Sequence, residues 1–167
     1  MDYVRVQLKD ARHVSIRPIL PSDMAALRIF FASLSREIRR LRFHAPIGEL
    51  SEHILREFTA NPAHVAFVAE VHDSAVDPPT TLVAEARFVR GADSESAEFA
   101  LVVADNWRRI GLGTKLTRIM AQRARFTGVR RLSGDVLDDN KAMRGFAHSL
   151  GARLSRAIGC VRLSLEV

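Results

Sequence analysis

The chain has 167 residues, 47% of them hydrophobic, and carries 25 Lys and Arg against 19 Asp and Glu, a formal charge of +6 at pH 7. That length suits one compact domain over residues 1–167. No apolar run approaches the roughly 20 residues that cross a bilayer, and the charged start (Asp2, Arg5, Lys9, Asp10, Arg12) lacks the apolar stretch of a secretory signal, so a cytoplasmic protein with no membrane partner is expected.

Cys160 is the sole cysteine, has no internal partner and lies in a strand-like segment, which reads as packing rather than a nucleophile. The histidines at 13, 44, 53, 64, 72 and 148 show no metal-ligand spacing, so no metal is expected. The positive charge is almost all arginine, since Lys9, Lys115 and Lys141 are the only lysines. Basic charge favours anionic partners. The arginines are scattered, aromatics are 7% and no nucleic-acid motif is present, which argues against nucleic acid and leaves a phosphorylated cofactor with an acidic acceptor.

In chain order, residues 14–18 alternate as an edge strand that ends at Pro18. Pro21-Ser22-Asp23 then caps a helix with Met24, Leu27, Phe31 and Leu34 on one face. Residues 36–41 form a second helix, and a third runs from the N-cap Ser51 through Ile54, Leu55 and Phe58. β-rich runs follow at 64–71, 80–89 and 97–104, with turns at Asp77-Pro78-Pro79 and at 91–94, an antiparallel meander. The helix entered at Gly113 buries Leu112, Leu116, Ile119, Met120 and Ala124, turns Lys115, Arg118, Gln122 and Arg125 to water, and ends at Gly128. A strand at 131–137 follows, then a helix from about Asn140 with Met143, Phe146, Ala147 and Leu150 at helical spacing, and a closing hairpin of 153–156 with 160–165. Strand, helix and strand in succession over 97–137 imply a right-handed crossover with parallel outer strands.

The segment Arg108-Arg109-Ile110-Gly111-Leu112-Gly113 leads from the strand into the helix. Two glycines let backbone close on a bulky anion, and the helix start supplies free amides with a partial positive charge. It is no Walker loop, which needs Gly-Lys-Ser/Thr, and no dinucleotide fingerprint, since Leu116 stands where the third glycine belongs. Trp107 reads as packing the turn, and Phe146 as core. Arg36, Arg39, Arg40 and Arg42 read as a solvated basic face rather than a site.

Arg108-x-x-Gly111-x-Gly113, with Ala97-Glu98-Phe99-Ala100-Leu101-Val102-Val103 before it and the stretch from Asp135 through Asn140 to Met143 after it, resembles the GNAT superfamily of acyl-CoA-dependent N-acyltransferases. The likeness covers 95–152 strongly and 14–90 diffusely. Phe31-Ala32-Ser33-Leu34-Ser35 and Leu41-Arg42-Phe43 resemble the GNAT domains of bacterial protein-lysine acetyltransferases, of which this would be a free-standing version. The resemblance implies the GNAT fold of α/β (α+β) class, a mixed, mostly antiparallel sheet with a splayed parallel pair, flanked by helices.

It also implies acetyl-CoA as co-substrate. Its pyrophosphate would lie on the amides of Arg109, Ile110, Gly111, Leu112, Gly113 and Thr114, with Arg108 as the motif's polar side chain, and its pantetheine arm on backbone at Val102 and Val103, contacted by Asn140. Transfer to a primary amine, on a protein lysine or N-terminus or a small molecule, needs a base. Glu98 matches the family's glutamate, acting directly or through water, with Glu85 as substitute, and the Val102 amide would hold the oxyanion. The tyrosine that many members use as acid falls at Ala147, leaving His148, Ser149 or water. That slot also opens a second reading, a catalytically silent acyl-CoA sensor. A homodimer through the terminal hairpin is a further expectation.

Overall fold

The computed structural model describes residues 3–75, 79–91 and 95–167. Among the described residues, eight strands form one sheet: β1 (Val4–Gln7), β2 (His13–Pro18), β3 (His64–His72), β4 (Thr80–Arg90), β5 (Ser96–Val103), β6 (Arg131–Leu137), β7 (Arg153–Ala157) and β8 (Cys160–Glu166). Five α-helices flank it: α1 (Met24–Ser33), α2 (Arg36–Phe43), α3 (Glu52–Ala60), α4 (Leu112–Phe126) and α5 (Lys141–Ser149). Spatial order is β1-β2-β3-β4-β5-β6-β8-β7, and β5 with β6 is the parallel pair within an otherwise antiparallel sheet. This is the GNAT fold.

One face of the sheet packs against α4 and α5, where Leu112, Leu116, Met120, Ala124 and Ala147 are fully buried with Phe88, Ala97 and Leu132. Each large apolar side chain so covered contributes about 1.5–3 kcal/mol. The other face packs against α1–α3 through Leu27, Phe30, Phe31, Ile38 and Leu55, which meet Val68, Leu82 and Val102. On this second face, Arg17 ties β2 to β3 and to the turn before α1. Its guanidinium donates to Asp23 and Glu70, both at 2.7 Å.

Three expectations change. The strand at 14–18 is not an edge, because β1 pairs with it from Val4↔Ile16 to Gln7↔His13. β1 is four residues, mostly exposed, and too short to show its own alternation. The second helix continues to Phe43, where His44 closes it in the left-handed region. Lys115 is half-buried rather than solvent-facing. Asp77-Pro78 and residues 92–94 of the expected turns lie outside the described residues, as does Asp2.

The parallel pairing is brief. Ser96, Ala97 and Glu98 pair with Arg131, Leu132 and Ser133, and beyond them the strands part. A Cβ on Gly134 would stand 2.8 Å from the Phe99 carbonyl oxygen, so the two backbones still lie close where the pairing ends. Among the described residues, 99–103 of β5 have no strand partner on the β6 side.

Candidate active site

A cavity of about 490 Å³ opens at the split. Its floor is Leu101, Val102 and Val103 of β5. The turn into α4 supplies Arg108, Arg109, Gly111, Gly113 and Thr114, α5 supplies Lys141, Met143 and Phe146, and α2 roofs it with Ile38, Leu41 and Arg42. Lys9, from the β1–β2 loop, completes the wall. Five lining side chains are cationic and none is a carboxylate, so the cavity suits a polyanion.

The turn is built from unusual backbone. Arg109 (φ +62°) and Gly111 (φ +91°) both occupy the left-handed region. The Lys9 amide donates to the Ile110 carbonyl at 3.1 Å, pinning the loop from outside. The first amides of α4, those of Leu112, Gly113 and Thr114, have no intrahelical acceptor, as at any helix start, and the dipole makes that end attractive to phosphate. A Cβ on Gly113 would only touch Leu101 and Phe146 at 3.5 Å.

Backbone direction along β5 follows from two bonds. The Ala104 amide donates to the Val83 carbonyl at 2.9 Å, and the Arg131 amide donates to the Glu95 carbonyl at 3.0 Å. Because amides alternate sides along a strand, those of Leu101 and Val103 face the split, whereas that of Val102 faces β4.

Two carboxylates share the sheet face of Val102. Glu85 stands directly opposite it and is fully buried. One oxygen accepts from Arg87 Nε at 2.5 Å and the other lies 3.5 Å from Arg42 Nη2. Glu98 is exposed, about 13 Å along β5 from Val102 at ~3.3 Å per residue. It forms no ion pair among the described residues and does not line the cavity.

Of the other expected site residues, Val102, Val103, Arg108, Arg109, Gly111, Gly113 and Thr114 meet at the cavity. Ile110 and Leu112 instead pack into the core. Asn140 is the N-cap of α5, its Oδ1 accepting the Met143 amide at 3.0 Å. Ala147 is fully buried in the core, and Ser149 Oγ donates to the Phe146 carbonyl at 2.7 Å; neither of these nor His148 lines the cavity. Trp107 packs on the core with the Arg12 guanidinium 3.9 Å above its ring. Phe146, expected as core, is half-buried, belongs to neither core cluster and lines the cavity instead. Lys9, Lys141 and Arg42 line the cavity in addition to the expected residues. Lys9 gives no sequence signal, while Lys141 and Gly145, four apart and both lining, share one face of α5.

α2 is held over the cavity at its start and along its length. Ser35 donates from its amide and hydroxyl to Asp105 at 3.3 and 3.2 Å, and Arg40 Nη2 lies 2.7 Å from Asp139.

The fold, with its cavity at the parted strands, is of the GNAT type. The model of the acetyltransferase (GNAT) family matches residues 34–152, and the chain belongs to that family. It is 31% identical over 169 residues to Acetyltransferase Pat of Mycolicibacterium smegmatis, covering 98% of this chain and 49% of that protein. It is 32% identical over 146 residues to Acetyltransferase PA5475 of Pseudomonas aeruginosa, covering 86% and 77%. The chain thus spans about half the length of the Mycolicibacterium relative. The crystal structure of the GNAT domain of S. lividans PAT is similar with a TM-score of 0.89 at 26% identity, over 99% of this chain and 97% of that one. A cAMP-binding acyltransferase from Mycobacterium smegmatis gives 0.67 at 28% identity, over 99% and 47%. A putative acetyltransferase from Salmonella typhimurium, seen with its cofactor acetyl-CoA, shares the fold at 0.70 with 18% identity, over 92% and 93%. No helix among the described residues is long and apolar enough to cross a membrane.

Proposed function

We propose that this chain transfers an acetyl group from acetyl-CoA to a primary amine, a reading carried by one observation: a cavity walled by five cations and no carboxylate, floored by the unpaired edge of β5. Arg108, Arg109, Lys9, Lys141 and the amides at the start of α4 hold the phosphates. Backbone groups of Leu101 and Val103 take the pantetheine arm as an added strand would. Asn140, to which the resemblance assigns an arm contact, does not itself line the cavity but stands beside Lys141 and Ala142, which do.

The amine nitrogen attacks the thioester carbonyl carbon, a C–N bond forms, and the C–S bond breaks with the electron pair leaving on sulfur. The amides open to the oxyanion are those of Leu101 and Val103, in place of Val102. An alkylamine near pKa ~10.4 is mostly charged at pH 7, so a base must receive its proton. Glu98 takes that role through a chain of waters bridging the ~10 Å from Leu101, its carboxylate being exposed and in no ion pair among the described residues while Glu85 is held between two arginines. A thiol titrating near ~8.5 leaves readily as thiolate, which lightens the need for the acid missing at Ala147.

The buried Ala147, with neither His148 nor Ser149 at the cavity, favours the second reading, an acyl-CoA sensor without turnover. Free thiol released from acetyl-CoA in the presence of alkylamines and lysine peptides separates the two. Amine-dependent release supports transfer. Binding heat without release leaves the sensor, and no heat with CoA sinks both. Glu98→Gln is expected to lower kcat by about 100-fold or more and to remove the acid limb of its pH profile. Glu85→Gln should keep that limb; the reverse outcome would move the base to Glu85.

A further inference from the structure

The catalytic reading leaves a buried cationic cluster beside the cavity unused. Arg42 and Arg87 flank the single carboxylate of Glu85. Arg87 is 4% exposed and lies over the Phe58 ring at 3.4 Å, and its Nη1 faces His64 Nδ1 at 3.1 Å. Arg42 sits 5.1 and 5.8 Å from the rings of Phe43 and Phe58. Two guanidiniums against one carboxylate leave a positive charge in excess, and two buried donors, Arg87 Nη2 and Arg42 Nε, have no acceptor among the described residues. Buried guanidinium donors are normally satisfied, so both are free to donate to an anionic group.

Arg42 is also where two cavities meet. It lines the large one and a smaller pocket of about 60 Å³ that lies in the split itself, with Ala100, Leu101, Gly134 and Asp135. α2 holds it there through the Ser35–Asp105 and Arg40–Asp139 contacts.

We propose that Arg42, backed by Arg87, binds a carboxylate carried by a reactant a few bonds from the reacting carbonyl, so that this enzyme selects a reactant with an anionic end. The inference rests on the acyl-transfer reading of the same cavity. A planar fork matches a carboxylate in two parallel bonds, and the smaller pocket admits a group of that size. The carboxylate belongs either to the acyl chain or to the amine acceptor.

Calorimetry on the purified chain distinguishes the sources. One arm compares succinyl-CoA with butyryl-CoA. The other compares 4-aminobutanoate with butylamine, on the protein saturated with CoA and on the protein alone. The anionic member should bind about 10-fold tighter or more in one arm, the scale of a charge-assisted bond. Arg42→Gln should bring that ratio near one, and Glu85→Gln, which removes the competing carboxylate, should widen it. Should Arg42→Gln fail to fold by circular dichroism, Arg42→Lys, which keeps charge without the fork, and Glu85→Gln carry the test. Equal affinities in both arms, or a preference untouched by the Arg42 and Glu85 variants, overturn the proposal. Butyryl-CoA that fails to bind overturns the parent reading instead, and the acceptor pair on the protein alone still decides this one.

Discussion

Gly111 and Gly113 look equivalent in the motif, yet they do different work. At φ +91°, Gly111 holds a conformation in which a Cβ costs about 1–2 kcal/mol, although the space beside it is open to within 3.6 Å of Lys9. Gly111→Ala is expected to lower stability by about 1 kcal/mol in urea unfolding and to weaken CoA binding by calorimetry, because relaxing φ turns the amides at the start of α4. Gly113 has ordinary φ and a Cβ there meets its neighbours at 3.5 Å, so Gly113→Ala should fold with near-native stability. A Gly113→Ala variant as destabilised as Gly111→Ala would show that the strain assignment is misplaced.

At the scale of elements, Gly134 stands where β5 and β6 begin to part. A Cβ there meets a backbone oxygen at 2.8 Å, and backbone cannot swing aside as a side chain can. Gly134→Ala is therefore expected to cost about 1–3 kcal/mol in thermal or urea unfolding and to raise the KM for the amine. A wild-type KM with unchanged stability would mean the strands separate without this contact. How much of this was readable follows the strength of local pattern. The crossover 97–137, its glycine turn and the helix stripe Leu112, Leu116, Met120 and Ala124 announce themselves by period and punctuation. β1 did not, being four residues with three exposed, and that concealed both the true place of β2 and the route of Lys9 to the cavity. Arg42 looked like one more charge on a basic helix. Its burial depends on Glu85, 43 residues away in the chain, which no local window reports.

Across the whole molecule, the same cluster couples acidity to stability. His64 packs 6.4 Å from the Phe58 ring and against Arg87, and burial, reinforced by the Arg87 charge, holds its imidazole below the usual 6.5. Glu57 and Glu85 pull the other way without reversing it. The unfolded chain therefore takes up a proton at this position before the folded chain does. Stability on this account is complete above pH ~6.5, declines as pH falls through that value, and levels off once the folded imidazole protonates as well. Carboxylates held low by arginines act in a different window. Asp135, bonded to Arg162 at 2.7 Å, stabilises above its ordinary 3.8 and loses that contribution only as pH falls further, and its exposure keeps the amount small. Urea midpoints between pH 7 and 5 should thus fall in the wild-type chain, and His64→Gln should flatten that slope while leaving the loss below pH ~4 in place. An unaltered slope in His64→Gln would assign the acid sensitivity to the other histidines and relieve the Arg87 cluster of that role.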